Sequence, residues 1–347
     1  MNLDQTRFEG EHKGRETGLY FLKNKNVEVA VTNYGARIVA LTVPGKDGQP
    51  VDVVTGFDSL DKYIASTEPY HGAIVGRYAN RIARGHFYLN GRQYQLAINN
   101  PPNHLHGGPE GFHQQVWTVE ESTPEQLRLS YDSADGEGGY PGNLHVRLTY
   151  HLSEDNALTL TYEAHTDAPT VINLTSHPFF NLNGQGRTTI LNHLLQINAD
   201  RYTPVDSSLI PTGIAAVDGT AFDFRIPMTI GKRIDERNEQ LKYGSGYDHN
   251  LVLNGSGLRA VARATGDESG IVMDVLTDQP AMQLYSGNYM KSENGIKYGL
   301  IDKFRTAFCL ETQHYPDAPN QPQFPSTILN PGEEFRSQTI YRFIPGS

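Results

Sequence analysis

Apolar and polar residues alternate along much of this chain, and the alternation predicts strands. Val27, Val29 and Val31 alternate with polar neighbours. Leu144, Val146, Leu148, Tyr150 and Leu152 form a strict run, residues 153–156 read as a turn, and Leu158, Leu160, Tyr162 and Ala164 carry the pattern back. This is the signature of an antiparallel hairpin. A second hairpin is predicted where Phe87 and Leu89 lead through Asn90-Gly91 to Tyr94 and Leu96, since Asn-Gly supplies the positive φ angles of a type I′ turn. Ile271, Met273 and Val275 follow the turn at 266–270 and are expected to pair with residues 258–264. Helical patterns are scarce; residues 59–65 and 236–241 suit a turn or two each. Many short strands joined by turns predict an all-β sandwich or barrel. No linker or repeat divides the chain, so residues 1–347 are expected to form one domain. The loops at 133–142 and 317–325, rich in Gly and Pro, are expected to be surface excursions.

The most informative stretch is 173–182, Asn-Leu-Thr-Ser-His-Pro-Phe-Phe-Asn-Leu. Read as a strand, it puts Ile172, Leu174, Pro178, Phe180 and Leu182 on one face, and Asn173, Thr175, His177, Phe179 and Asn181 on the other. An imidazole among small polar groups, backed by a core-facing side, suits proton transfer to a polar ligand. A lone strand histidine is more often structural, so partners elsewhere must decide.

Composition narrows the field. The formal charge of −10 argues against nucleic acid or an anionic membrane as partner. No apolar run approaches the roughly 18 residues of a membrane helix. The N-terminus lacks the apolar core of a signal peptide, which points to a cytoplasmic protein, an exported form with its signal removed being left open. Cys309 is the single cysteine and reads as a small buried apolar filler, which leaves no intrachain disulfide and no cysteine-based metal cluster. The 34 glycines and 20 prolines fit strands joined by turns.

Four other segments carry candidate chemistry. In Asn-His-Leu-His-Gly-Gly (103–108) the glycines allow close backbone approach to a ligand. His106 is read as a hydrogen-bonding group and His104 as a brace for the loop. His-x-His spacing also suits a metal, but no second segment with clear ligand spacing accompanies it, so none is expected. Residues 76–85 carry Arg77, Arg81 and Arg84; either they form a solvated basic loop, or a guanidinium forks onto ligand hydroxyls, with Asn80 and Arg81 acting together. Asp248, just before the apolar Leu251-Val252-Leu253, is a ligand contact or a turn-forming residue. In 308–315, Phe308, Leu310 and Thr312 share one face and Cys309, Glu311 and Gln313 the other. A carboxylate in an apolar strand costs several kcal/mol unless paired or protonated. Gln283 stands opposite Met282 and Leu284 in the same manner. Three strands, each with a polar group opposite an apolar face, describe a sheet lining a polar cleft.

The motifs together resemble the galactose mutarotase, or aldose 1-epimerase, family. The matching pieces are Gly-Arg-Tyr-Ala-Asn-Arg-Ile-Ala (76–83), Asn-His-Leu-His-Gly-Gly (103–108), the 173–182 stretch, Thr-Pro-Val-Asp (203–206) and Ile-Pro-Thr-Gly (210–213). Gly-Tyr-Asp-His (246–249), Gln-Leu-Tyr-Ser-Gly-Asn (283–288), Leu-Glu-Thr-Gln (310–313), Pro-Asp-Ala-Pro-Asn-Gln-Pro (316–322) and Pro-Gly-Glu-Glu (331–334) complete an ordered set over about 19–344. The resemblance implies a large antiparallel β-sandwich of the mutarotase-like supersandwich type, with an open sugar cleft and no cofactor. It implies an isomerase that interconverts the α and β anomers of free aldoses such as galactose and glucose, as a monomer or weak homodimer. His177 matches the family's general acid, Glu311 its general base and His106 a second histidine at the ring oxygen. Asn80, Arg81, Asp248 and Gln283 match sugar-binding positions. Opposite charge on Glu311 is expected to favour protonated His177. Phe179 or Phe180 is expected to stack on an apolar sugar face, although Phe180 points to the core side. The family often carries Asn-His-x-Tyr where this chain has Ser176-His177-Pro178-Phe179. That removes a hydroxyl and, at Pro178, a backbone donor, and bears on sugar preference. Competing readings are a hexose-6-phosphate epimerase using the three arginines, a non-catalytic carbohydrate-binding module, and a glycoside hydrolase built on Glu311 and Asp248.

Overall fold

The computed structural model describes residue 1 and residues 3–347. Most strands assemble into three antiparallel sheets. The largest has nine strands in the order Thr118–Ser122, Gln126–Ser133, Leu144–Leu152, Ala157–Thr166, Phe335–Ile344, Val272–Thr277, Arg259–Thr265, Leu194–Ile197 and Met228–Thr229. At its centre is the long predicted hairpin, in register from Leu144↔Thr166 to Leu152↔Leu158. Its burial alternates as the pattern requires. Burying each large apolar side chain contributes about 1.5–3 kcal/mol. The Asn90-Gly91 hairpin also forms, with φ of 50° and 77° at the turn. The strand at 272–277 pairs with 259–265 through a bulge between Ala260 and Ala262.

A five-stranded sheet runs Ala215–Ala216, Arg201–Tyr202, Asp248–Val252, Ala281–Tyr285, Cys309–Gln313, and a four-stranded sheet runs from Leu19–Lys23 to Pro50–Asp52. One apolar cluster draws on all three sheets, with Val31 and Leu41, Leu148 and Tyr341, and Met282 and Leu310 among its members. The chain is thus a large antiparallel sandwich, as predicted, and its side chains pack from both layers into one core.

Two α-helices occur among the described residues. Leu60–Ala65 starts where expected, with Ser59 Oγ accepting from Lys62 N at 3.4 Å. The second runs Glu239–Gly244, three residues later than the pattern suggested, because Asn238 caps it through Gln240 N (2.8 Å) and Leu241 N (3.4 Å). No helix among the described residues is long and apolar enough to cross a membrane.

The 172–182 stretch is not one strand. Thr175–Ser176 pairs with Ile74–Val75, and Phe179–Phe180 pairs with Val54–Thr55. Pro178, which has no N–H, falls between the two pairings. The facing still holds: Ile172, Leu174, Phe180 and Leu182 enter the core. The two expected surface loops also differ. Residues 133–142 supply carbonyls to a buried arginine, described below, and Asp317, Ala318 and Phe324 are buried.

Candidate active site

Three segments far apart in sequence meet at one end of the five-stranded sheet. Glu311 lies on Cys309–Gln313, directly across from Gln283 on Ala281–Tyr285, which in turn pairs with Asn250. The His177 segment is joined to the same strands through the Phe180↔Phe308 bridge. Asn173, from the polar face of that stretch, staples the assembly. Its Nδ2 donates to Ala79 O (3.1 Å) and its Oδ1 accepts from His314 N (2.9 Å). Asp317 fixes the other side: its N donates to Arg81 O (2.8 Å) and its Oδ1 accepts from Ala83 N (2.9 Å). Neither residue was singled out from the sequence, since a staple is recognised only by what it joins.

The result is a cleft of about 540 Å³ lined by His106, His177, Glu311, Asn80, Arg81 and Asp248. His177 Nε2 lies 3.4 Å from Glu311 Oε1, and both side chains are almost fully buried. The His106 ring stands nearly perpendicular to that of His177, 5.3 Å between centroids. Asn80 holds a left-handed backbone (φ 65°), a conformation asparagine tolerates. This aims its N–H at His106 Nδ1, 3.0 Å away. A neutral imidazole that accepts at Nδ1 carries its proton on Nε2, so His106 is a donor at its other nitrogen. His106, His177 and Glu311 offer atoms within 4.8 Å of one another, a spacing a metal could use. The Asn80 bond argues against that fit, because a protonated Nε2 has no lone pair for a cation. Arg81 Nη2 lies 3.5 Å from Asp248 Oδ2, and Gln283 Nε2 donates to Asp248 Oδ1 at 2.7 Å. Arg81 Nε donates to Asn100 Oδ1 at 3.1 Å. These polar groups are held by protein partners before any ligand arrives.

Burial governs the protonation of the pair. Desolvation lowers His177 to about 4. It also pushes Glu311 well above the usual carboxylate range, with Asp248 adding to the rise. The expectation that Glu311 would hold His177 protonated is therefore corrected: burial lowers His177 and raises Glu311, disfavouring the charged form of each.

Two expected ligand contacts are placed differently. Phe179 is completely buried and does not line the cleft. It stacks beneath His177 at 5.0 Å and packs on Tyr285 and Cys309, so the expected stacking on sugar is replaced by support of the imidazole. Phe180 is in the core. Gln283 lies under Asp248 rather than on the cleft wall. Cys309 is buried, as expected. His104 braces its loop, with Nδ1 2.7 Å from Ala97 O and Nε2 2.7 Å from Tyr140 OH. Tyr70, not anticipated from sequence, lines the cleft with its ring against His106 (4.6 Å) and His177 (5.8 Å).

The arginines separate. Arg77 is buried away from the cleft, donating to Pro141 O, Gly142 O and Ser133 O and to the hydroxyls of Ser133 and Thr170. Arg84 is exposed. Arg77→Met is expected to strand these acceptors, destabilising the fold by about 3–5 kcal/mol and lowering Tm by about 5 °C, with kcat and KM at 20 °C near wild type. A KM raised tenfold in the folded variant would place Arg77 at the ligand instead.

A family model for aldose 1-epimerases matches residues 18–342. The chain belongs to the aldose 1-epimerase family. Galactose mutarotase of Bos taurus is 45% identical over 324 residues, spanning 93% of this chain and 92% of that protein. Aldose 1-epimerase of Escherichia coli (strain K12) is 36% identical over 328 residues, 92% and 93% of the two chains. Among solved structures, galactose 1-epimerase from Lactobacillus acidophilus superposes with a TM-score of 0.85 at 30% identity, covering 100% of both chains. An aldose epimerase homologue from C. elegans gives 0.88 at 30% identity, covering 95% of this chain and 100% of that one. The sandwich described above is thus the aldose 1-epimerase fold, and the cleft lies where its sheet strands and the His106 and His177 segments converge.

Proposed function

We propose that His177 and Glu311 form the acid–base pair with which this isomerase interconverts the α and β anomers of free aldoses, galactose and glucose among them. The observation that carries this reading is the 3.4 Å approach of two desolvated, oppositely shifted groups in one cleft. Glu311 takes the proton from the anomeric hydroxyl while imidazolium His177 gives one to the ring oxygen. The bond from C1 to the ring oxygen breaks, leaving an open aldehyde, neutral His177 and protonated Glu311. The aldehyde rotates about C1–C2. In closure Glu311 returns a proton to the carbonyl oxygen, His177 takes one from the chain hydroxyl, and the other anomer forms. Burial assists because a lowered His177 is a stronger acid and a raised Glu311 a stronger base than in water. The His106 Nε2–H supports the ring oxygen as its charge changes. Asn80, Arg81 and Asp248 bind the remaining hydroxyls, with Gln283 orienting Asp248.

Galactose as substrate is supported by the names of the bovine and bacterial relatives. Every proposed group comes from one chain, so a monomer or weak homodimer suffices, and the shared core supports residues 1–347 as one domain. A phosphorylated hexose fits poorly. Arg81 is the only Arg or Lys lining the cleft among the described residues, and it is already paired with Asp248. Polarimetry on freshly dissolved α-galactose and on galactose 6-phosphate tests the reading. We expect acceleration of the free sugar with kcat/KM at least 100-fold higher than for the phosphorylated one. Preference for the phosphate would reassign the substrate, and no acceleration of either would leave a carbohydrate-binding module.

A further inference from the structure

One cleft-lining carboxyl has no part in the chemistry above. Glu68 is half-buried, lines the same cleft as His177 and Glu311, and has no Lys or Arg within ion-pair distance among the described residues. Among the described residues its side chain accepts a single long hydrogen bond, from Tyr70 N to Oε1 at 3.3 Å. The turn that carries it is rigidly tied. Ser66 Oγ donates to Glu68 O (2.8 Å), and Asn294 accepts from Thr67 N (3.1 Å) while donating to Asp302 (2.7 Å). Glu68 is thereby fixed two residues from Tyr70, whose ring touches both cleft histidines. Burial pushes Glu68 up to about 7, with Asp302 adding to the rise; Tyr70, Tyr285, Cys309 and Glu311 are the other titratable groups that feel its charge.

A desolvated carboxylate held this way is costly unless a donor completes it. An aldose entering the cleft strips further water and presents only hydroxyls along its non-reacting side. A cationic ligand is not called for, since Arg81 and Asp248 already balance each other in the same cleft. We propose that Glu68 is a specificity-determining residue that accepts a hydrogen bond from one of the non-reacting hydroxyls of the bound aldose. This rests on the mutarotase reading of the cleft.

Polarimetric kcat and KM for Glu68→Ala and Glu68→Gln, on galactose and on its monodeoxy analogues, test the assignment. For Glu68→Ala we expect KM for galactose to rise about 10–100-fold, the size of a hydrogen bond to a charged group, with kcat within twofold. On the one deoxy analogue lacking the contacted hydroxyl, wild type and variant should have equal KM. Glu68→Gln keeps the Tyr70 partner and an acceptor oxygen, so it should fold as wild type and show a smaller rise with the same sugar dependence. An unchanged KM, or a rise equal on every deoxy analogue, would overturn the proposal. Inactivity of the wild type on all sugars would instead overturn the mutarotase reading itself.

Discussion

His177→Asn and Glu311→Gln each lower kcat for galactose mutarotation by about 10²–10⁴-fold, the usual worth of a positioned proton transfer. Both replacements are close in shape, and neither wild-type side chain anchors the backbone. His177 Nδ1 and Glu311 Oε2 have no protein partner among the described residues, and the backbone at His177 is held through its own N and O by Ala73 and Gly72. Tm and KM should therefore stay near wild type while kcat falls. The double variant should be little worse than either single one, since each half of the pair is useless without the other. The shifts predict a further sign. Burial lowers His177 to about 4 and raises Glu311, so the histidine does not titrate at its ordinary value. Thus kcat at saturating sugar should show no inflection near 6.5, the value of an ordinary histidine. A near-normal kcat in either variant, or an inflection at 6.5 that the His177→Asn variant abolishes, would refute the assignment or the shift.

Acid should unfold this protein steeply, and histidines are the cause. His71, His104, His106, His113, His177 and His249 are all buried. Desolvation lowers His71, His113 and His249 to about 3 and His104 and His177 to about 4, and puts His106 well below its usual value. A histidine lowered in the folded state contributes stability that is complete above pH 6.5. That stability drains as pH falls, because the unfolded chain takes up the proton and the native one does not. Glu68 and Glu311 are raised and act in the opposite sense. The lowered histidines, His193 and His314 among them, outnumber the raised carboxyls, so the unfolded chain takes up several more protons than the native one between pH 6 and 5, a loss of several kcal/mol per pH unit. Against a total of 5–15 kcal/mol typical of folded proteins, that brings unfolding into the range of pH 4–6. Thermal melts should show Tm falling by about 7 °C per unit below pH 6.5. His71→Phe isolates one contributor. Its ring sits between Phe57 and Phe179, and neither nitrogen makes a well-formed hydrogen bond among the described residues. The variant should match wild type at pH 7.5 and lose less at pH 5.5. A flat Tm from pH 7 to 5 would show that these rings are already protonated or exposed.

The two predictions draw on different layers of information. Hairpins such as 144–166 were legible in the sequence because a period of two is a local property. Each residue's facing depends on its neighbours, and apolar burial then selects the register. The sides of the strands that carry Glu311 and Gln283 were legible for the same reason, and the facing of the 172–182 stretch held although His177 lies between two short strands. The helix at Glu239–Gly244 was misplaced by three residues because Asn238 was a better cap than any position upstream.

What the sequence by itself determined was the sandwich, the facing of its strands and, through ordered motifs, the family. The tertiary structure alone decided which polar groups meet. Tyr70 and Glu68 lie in a turn without periodicity, and the clamps at Asn173 and Asp317 join segments more than ninety residues away, so no local pattern marks them. Phe179 stood on the correct face for a ligand, yet Tyr285 and Cys309 close over it. The protonation of His177 and Glu311 was decided in the same way. Sequence can pair two charges, but how much water surrounds them is a property of the whole fold, and here burial shifts both groups toward their neutral forms.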